Sequence, residues 1–170
     1  DPETDVLVTS GATEAVFAAI LGLTDPGDEV IVFEPVYDTY VPILVMAGVT
    51  PRYVPLRGDD WSVDPDELAK SFNRHTRAVI VNTPDNPTRK VFSREELGVI
   101  AEQCQKFDAV AVTDEVYEHI LYDDTRHSRL ATLPGMANRT VTISSLGKTF
   151  SVTGWKIGWL VASPELATLA

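Results

Sequence analysis

Cysteine is almost missing from this chain. One residue, Cys104, occurs in 170, so no internal disulfide can form. It falls on the apolar face of a predicted helix, which reads as a buried free thiol in a reducing cytosol. Basic residues are also scarce: 14 stand against 25 acidic ones, a net charge of −11. That balance argues against a nucleic-acid surface. No long apolar run is present; the longest, Ala15 to Leu23, is broken by Gly22 and is far shorter than a membrane span. Neither a membrane partner nor, without a basic-then-apolar leader, an export signal is expected, and a cytoplasmic location follows. The histidines (His75, His119, His127) have no metal spacing with another ligand residue, so no metal is assigned. Repeats, low-complexity tracts and linkers are absent too. What remains, 44% hydrophobic and 23% charged, is an ordinary soluble composition at a length that buries one core.

Apolar and β-branched runs alternate with helical patterns along the chain. Strands are predicted over Asp5 to Ser10, Glu29 to Phe33, Thr50 to Leu56, Thr76 to Val81, Ala109 to Thr113, Thr140 to Ile143 and Ile157 to Ala162. Gly11-Ala12-Thr13-Glu14 opens a helix with Val16, Ile20 and Leu23 on one face. A turn at Pro26-Gly27-Asp28 precedes the second strand, and Glu34-Pro35-Val36-Tyr37 leads from it into a helix through Met46. Asp64-Pro65 is a helix start, and Ser93 with Glu96 forms a capping box ahead of Leu97, Ile100, Ala101 and Cys104. Tyr122 to Asn138, carrying Arg126, His127 and Arg129, reads as a long surface connection. Strand–helix alternation of this kind gives an α/β/α sandwich around a mainly parallel sheet.

Polar residues gather where buried strands end. Asn82 and Asp114 each follow an apolar strand, and Tyr37 and Ser145 lie just past one. In open α/β sheets ligands bind at that carboxyl edge. A carboxylate at the end of a fully apolar strand calls for a partner, although Asp114 also suits a helix N-cap. Tyr37 can equally be core packing. The turn before Ala12 and Thr13 leaves helix N–H groups free, an arrangement that favours phosphate and that many α/β proteins share.

One stretch is more specific. Ser144 to Trp159 reads Ser-Ser-Leu-Gly-Lys-Thr-Phe-Ser-Val-Thr-Gly-Trp-Lys-Ile-Gly-Trp. A lysine at the end of a buried strand is costly to desolvate and tends to a lowered pKa, as a Schiff-base nucleophile requires. A phosphate-binding P-loop fails here on two counts. It needs a glycine where Thr142 stands, and Gly154, Trp155 and Gly158 are poor beginnings for its long helix.

Together these residues resemble the fold-type I (class I and II) pyridoxal-phosphate aminotransferases, in the branch holding kynurenine and succinyldiaminopimelate aminotransferases. The resemblance covers essentially the whole chain and implies a three-layer sandwich, the large domain of the aspartate-aminotransferase fold. It implies that Lys148 bonds pyridoxal 5'-phosphate and later acts as base, and that Asp114 keeps the ring nitrogen protonated. Tyr117 and Asn86 would hydrogen-bond the ring oxygen and Tyr37 would stack on the ring. Asn82 belongs to the same cofactor site, while Ala12, Thr13, Ser145 and Lys156 would hold the phosphate. Cis peptide bonds are implied at Glu34-Pro35 and Asn86-Pro87. Arg89 departs from the pattern, standing where these enzymes carry glycine; a positive φ there costs arginine roughly 1 kcal/mol.

The implied reaction is amino-group transfer between an amino acid and a 2-oxo acid. A pyridoxal-phosphate C–S β-lyase or cyclopropane-forming synthase shares these motifs, and a non-catalytic cofactor-binding module is a third possibility. The resembled enzymes are about twice as long. The chain is therefore expected to be the large domain of a homodimeric protein, without an N-terminal arm or a C-terminal small domain, and to transaminate negligibly by itself.

Overall fold

The apolar runs become seven strands: β1 (Val6–Thr9), β2 (Glu29–Glu34), β3 (Thr50–Pro55), β4 (Thr76–Asn82), β5 (Val110–Asp114), β6 (Thr140–Ser145) and β7 (Gly158–Val161). Six helices join them: α1 (Ala12–Leu23), α2 (Tyr40–Met46), α3 (Pro65–Ser71), α4 (Arg94–Phe107), α5 (Leu146–Thr149) and α6 (Pro164–Leu169). The computed structural model describes residues 1–170. All strands share one sheet in the order β1-β7-β6-β5-β4-β2-β3. The five from β3 to β6 run parallel, while β7 is antiparallel to β6 and β1 to β7.

Alternation along the central strands fills both faces. Ala78, Ile80, Val110 and Val112 pack with Val16, Ile20 and Leu44 of α1 and α2. Val79, Val81 and Ala111 pack with Leu68, Leu97 and Ile100 of α3 and α4. Strands covered on both sides are apolar throughout, as expected of parallel sheets. The result is the anticipated three-layer sandwich. Cys104 is fully buried in the second cluster, and burial pushes its thiol up to about 12.

Local signals are realised in detail. Asp64 accepts from the N–H groups of Asp66 and Glu67 at 2.9 and 3.1 Å. Ser93 and Glu96 form the reciprocal capping box, at 3.1 and 2.9 Å. The peptide bonds at Glu34-Pro35 and Asn86-Pro87 are cis, as implied, and Thr83-Pro84 is a third that the sequence pattern did not announce.

The segment from Tyr122 to Asn138 departs from the expected surface connection. Leu130–Thr132 and Ala137–Arg139 form short 3-10 turns, and Leu130, Leu133 and Met136 are buried against α4. These three apolar residues recur every third position, the period of a 3-10 turn rather than of an α-helix. The side chain of His127 is only 8% exposed, so this region is half interior.

Arg89 adopts φ 66° in the turn that follows β4. Two backbone bonds fix the turn, Arg89 N–H to the Asp85 carbonyl at 2.8 Å and Asp85 N–H to the Lys90 carbonyl at 2.7 Å. The left-handed conformation is therefore set by the turn, whichever residue occupies it. Arg89→Gly is expected to raise stability by about 1 kcal/mol, measured as a higher denaturant midpoint at unchanged slope; a lower midpoint would show that the arginine side chain holds the turn.

Candidate active site

Chain reversal places the site. The β2–α2–β3 connection leaves the sheet in one direction, with α2 on one face. β4–α4–β5 proceeds the other way, with α4 on the opposite face. A crevice opens at the carboxyl ends where the two directions part. It holds a cavity of about 500 Å³, and every residue singled out from the sequence lines it: Ala12, Thr13, Tyr37, Asn82, Asn86, Asp114, Tyr117, Ser145, Lys148 and Lys156.

At the floor lies Asp114, the last residue of β5 and 6% exposed. Tyr40 donates its hydroxyl to the Asp114 Oδ2 at 2.7 Å, and the Val116 N–H approaches Oδ1 at 3.3 Å. None of the ion pairs in the molecule includes it. Burial pushes its carboxyl above the usual range, opposed by the Tyr40 hydrogen bond. Tyr40 itself rises well above the ordinary phenol range, through burial and the adjacent carboxylate. A buried carboxylate with spare acceptor capacity and no countercharge fits a cationic N–H donor placed in the cavity. Its N-cap alternative has little left, since its one bond to a following N–H is the long contact to Val116.

Neighbouring strands brace this floor. Asn82 donates its side-chain N–H to the Asp114 carbonyl at 2.9 Å, and its own side-chain oxygen accepts from the Asn86 N–H at 2.7 Å. Asn82 is thereby occupied in shaping the turn that presents Asn86. Tyr37 packs edge-on against Tyr40, ring centroids 5.4 Å apart. Tyr117 follows β5, and the Lys148 ammonium lies 5.6 Å from its ring centroid. Lys148 is not at the strand end itself. It sits in α5, one short turn beyond β6, and is exposed rather than desolvated. β6 stops at Ser145, where its pairing to β7 ends, and the lysine clears the sheet.

An anion cup forms one wall. The N-terminus of α1 has no side-chain cap. Glu14 takes the Ser10 N–H, leaving those of Ala12 and Thr13 directed outward. Gly11 makes the turn at φ 84°, and a Cβ there would lie 4.0 Å from the Lys156 Cα, so the backbone of Lys156 runs beside the cup. Gly158 of β7 sits directly behind. A Cβ on it would come 2.4 Å from the Gly11 carbonyl carbon and 2.6 Å from the Ala12 nitrogen. Free N–H groups at a helix N-terminus, in a cavity that Lys148 and Lys156 also line, fit a phosphate.

Several participants escaped the sequence. Tyr40 is spaced with Ile43 and Leu44 like any core residue of a helix, and its partner is 74 residues away. Gly11 and Thr153 also line the cavity. Away from it, Glu115, Glu118 and His127 bring ligand atoms within 4.8 Å of one another. Arg129 already fills the position of an ion there, 3.2 Å from Glu115 and in contact with Glu118.

The family model for aminotransferase class I and II matches residues 1–170. Kynurenine–oxoglutarate transaminase 3 of Bos taurus is 50% identical over 176 residues, covering 98% of this chain and 39% of that protein. A probable N-succinyldiaminopimelate aminotransferase of Mycobacterium tuberculosis is 52% identical over 168 residues, covering 98% of the chain and 42% of its own length. The solved structure of N-succinyldiaminopimelate aminotransferase from Mycobacterium tuberculosis superposes with TM-score 0.97 at 51% identity, over 99% of this chain and 44% of that one. A structure from Escherichia coli described as having a methionine aminotransferase function superposes with TM-score 0.96 at 37% identity, over 99% and 44%. The chain thus spans about two-fifths of the curated relatives it matches.

Two outcomes follow from this geometry. Folding raises the proton affinity of Asp114, so its contribution to stability is complete below the usual carboxylate range and is lost as pH climbs through the raised value. Asp114→Asn in the cofactor-free protein is therefore expected to melt higher than the parent at pH 7, an advantage that fades toward pH 3; a variant less stable at pH 7 would mean the carboxylate is already compensated. Gly158→Ala forces the new methyl against the cup, and overpacking of this kind costs about 1–3 kcal/mol. A thermal melt unchanged from the parent would show that the backbone yields freely.

Proposed function

The chain belongs to the aminotransferase class I and II family, and on that premise we propose that it binds pyridoxal 5'-phosphate in an enzyme moving an amino group between an amino acid and a 2-oxo acid. The observation that carries this is Asp114, a buried carboxylate with no countercharge at the floor of a cavity whose wall is an anion cup. When bound, pyridoxal phosphate supplies an aldehyde carbon and a ring that accepts electrons from the substrate Cα.

The chain's own residues then take separate tasks. Asp114 holds the proton on the ring nitrogen, and Tyr40 keeps that carboxylate aimed by donating to its other oxygen. Ala12 and Thr13 offer backbone N–H groups to the phosphate, with Ser145 and Lys156 beside them. Tyr37 covers one ring face, its own tilt set by Tyr40. Asn86 and Tyr117, both lining the cavity, would donate to the ring oxygen. Lys148 would be the amine that holds the cofactor, and its Nζ would serve as the base for the substrate Cα proton. Its place over the Tyr117 ring keeps it at the cavity wall.

Residues 1–170 act in this proposal as the cofactor-binding domain. No arginine lines the cavity, so the bidentate clamp that orients a substrate carboxylate comes from outside these residues, and the chain by itself turns over negligibly. Phe150 and Trp155, 64% and 69% exposed beside Lys148, offer apolar surface for a homodimer to cover. The buried thiol of Cys104 suits a reducing cytoplasm.

The test uses the intact protein that carries this chain, with amino acid and 2-oxoglutarate. Glutamate formation is expected in the parent, and Lys148→Ala should lose the absorbance of bound cofactor and at least about a hundredfold in turnover. Undiminished glutamate formation by the variant would overturn the assignment, and pyruvate release from an S-conjugate without glutamate would assign a β-lyase instead.

A further inference from the structure

Behind Asp114, on the opposite face of the sheet edge, lies a closed group of charges that the proposed reaction does not use. Glu115 is completely buried and Glu118 is 8% exposed. Glu115 accepts from the Thr113 hydroxyl at 3.0 Å and pairs with His127 Nε2 at 2.7 Å. Glu118 accepts from the Ser144 hydroxyl at 2.9 Å, and Arg129 pairs with both carboxylates. Thr113 also meets Thr142 across the ladder at 3.4 Å. The network thus ties the end of β5, the end of β6 and the 127–129 segment into one unit directly beneath the cavity.

A buried ion cluster of this kind rarely persists for stability, because well-packed apolar residues serve as well or better. Its charge is also unbalanced. Two carboxylates face one guanidinium, and His127 has its Nδ1 buried without a partner. His127 meets the cluster through Nε2 alone, 2.7 Å from Glu115. Two carboxylates thus share one guanidinium, with the exposed His119 3.9 Å from Glu118, and Glu115 is next to Asp114 in the chain.

We propose that Glu115, balanced by Arg129, is a positioning residue for the reaction: its charge beneath the sheet edge sets how tightly Asp114 holds the proton it shares with the ring nitrogen. This rests on the role given to Asp114 above. Field effects of this range survive in a buried, low-dielectric edge, and the Glu115 charge is among the influences that raise the Asp114 carboxyl, after burial itself, while Lys148 across the cavity lowers it. Tyr40, Asn82 and Lys148 face Asp114 from the cavity side; Glu115 is the charge that reaches it from behind. Arg129 is the opposing control, with 44% of its side chain exposed to solvent.

The experiment reads Asp114 directly. The ¹³C carboxyl resonance of Asp114 is titrated in the cofactor-free protein for the parent, Glu115→Gln, Arg129→Gln and Arg129→Lys. Glu115→Gln keeps the shape and is expected to move the midpoint down. Arg129→Gln is expected to move it up, and Arg129→Lys to restore the parent value. In the loaded enzyme Glu115→Gln should lower kcat about tenfold, the equivalent of one pH unit of proton affinity, with KM nearly unchanged. Lower melting temperatures with the midpoint unmoved in both charge-removing variants would make the cluster a structural brace only and overturn the proposal. If Glu115→Gln does not fold, the Arg129 pair decides by the same criterion. A parent that forms no glutamate would sink the aminotransferase assignment while leaving the Asp114 titration to stand on its own.

Discussion

The site depends on one uncompensated charge held out of water. Asp114 ends a strand that is buried on both faces, and the sheet gives its carboxylate no cation. Desolvation alone would neutralise such a group. Around it the chain arranges groups that partly restore ionisation: the Tyr40 hydroxyl from α2 and the Val116 N–H from its own turn as donors, and the charge of Lys148 across the cavity. What remains unsatisfied faces the crevice. A cationic N–H placed there would meet that acceptor capacity.

The second constraint is steric. An anion cup needs a helix N-terminus with bare N–H groups, and α1 supplies it because Gly11 turns the chain without a side-chain cap. That turn must also lie flat against β7. Gly158 permits the contact, since any side chain there would overlap the Gly11–Ala12 peptide. Antiparallel pairing of β7 with β6 places Gly158 opposite Ser145, so the cup and the start of the lysine turn are set by the same register. Cup and lysine turn are thereby fixed relative to one another by backbone hydrogen bonds rather than by flexible side chains.

Much of this is written locally in the chain. Apolar runs mark the strands, Asp64 and Ser93 mark helix starts, and Asn82 and Asp114 stand out as polar residues ending buried runs; all four lie where their pattern places them. Strand ends were legible to within about two residues, as frayed termini allow. Ten of the nineteen residues that line the cavity were picked out, Tyr37, Asn82, Asp114 and Ser145 by their place at strand ends and others, such as Asn86, Tyr117 and Lys156, through the family resemblance their motifs carry. His127 and Arg129 were not, because the segment carrying them has a three-residue apolar rhythm that resembles a polar loop more than a helix.

The sequence by itself determined the α/β class and the sheet edge at which the cavity opens, because period, capping and turn chemistry act over a few neighbours. Tertiary structure alone decided which of the groups there are partnered. Tyr40 became the donor to Asp114, Lys148 was carried clear of the sheet into solvent, and two glutamates were paired with an arginine behind the site. Each of these turns on desolvation and on contacts between residues far apart in the chain, and neither quantity exists until the strands have paired.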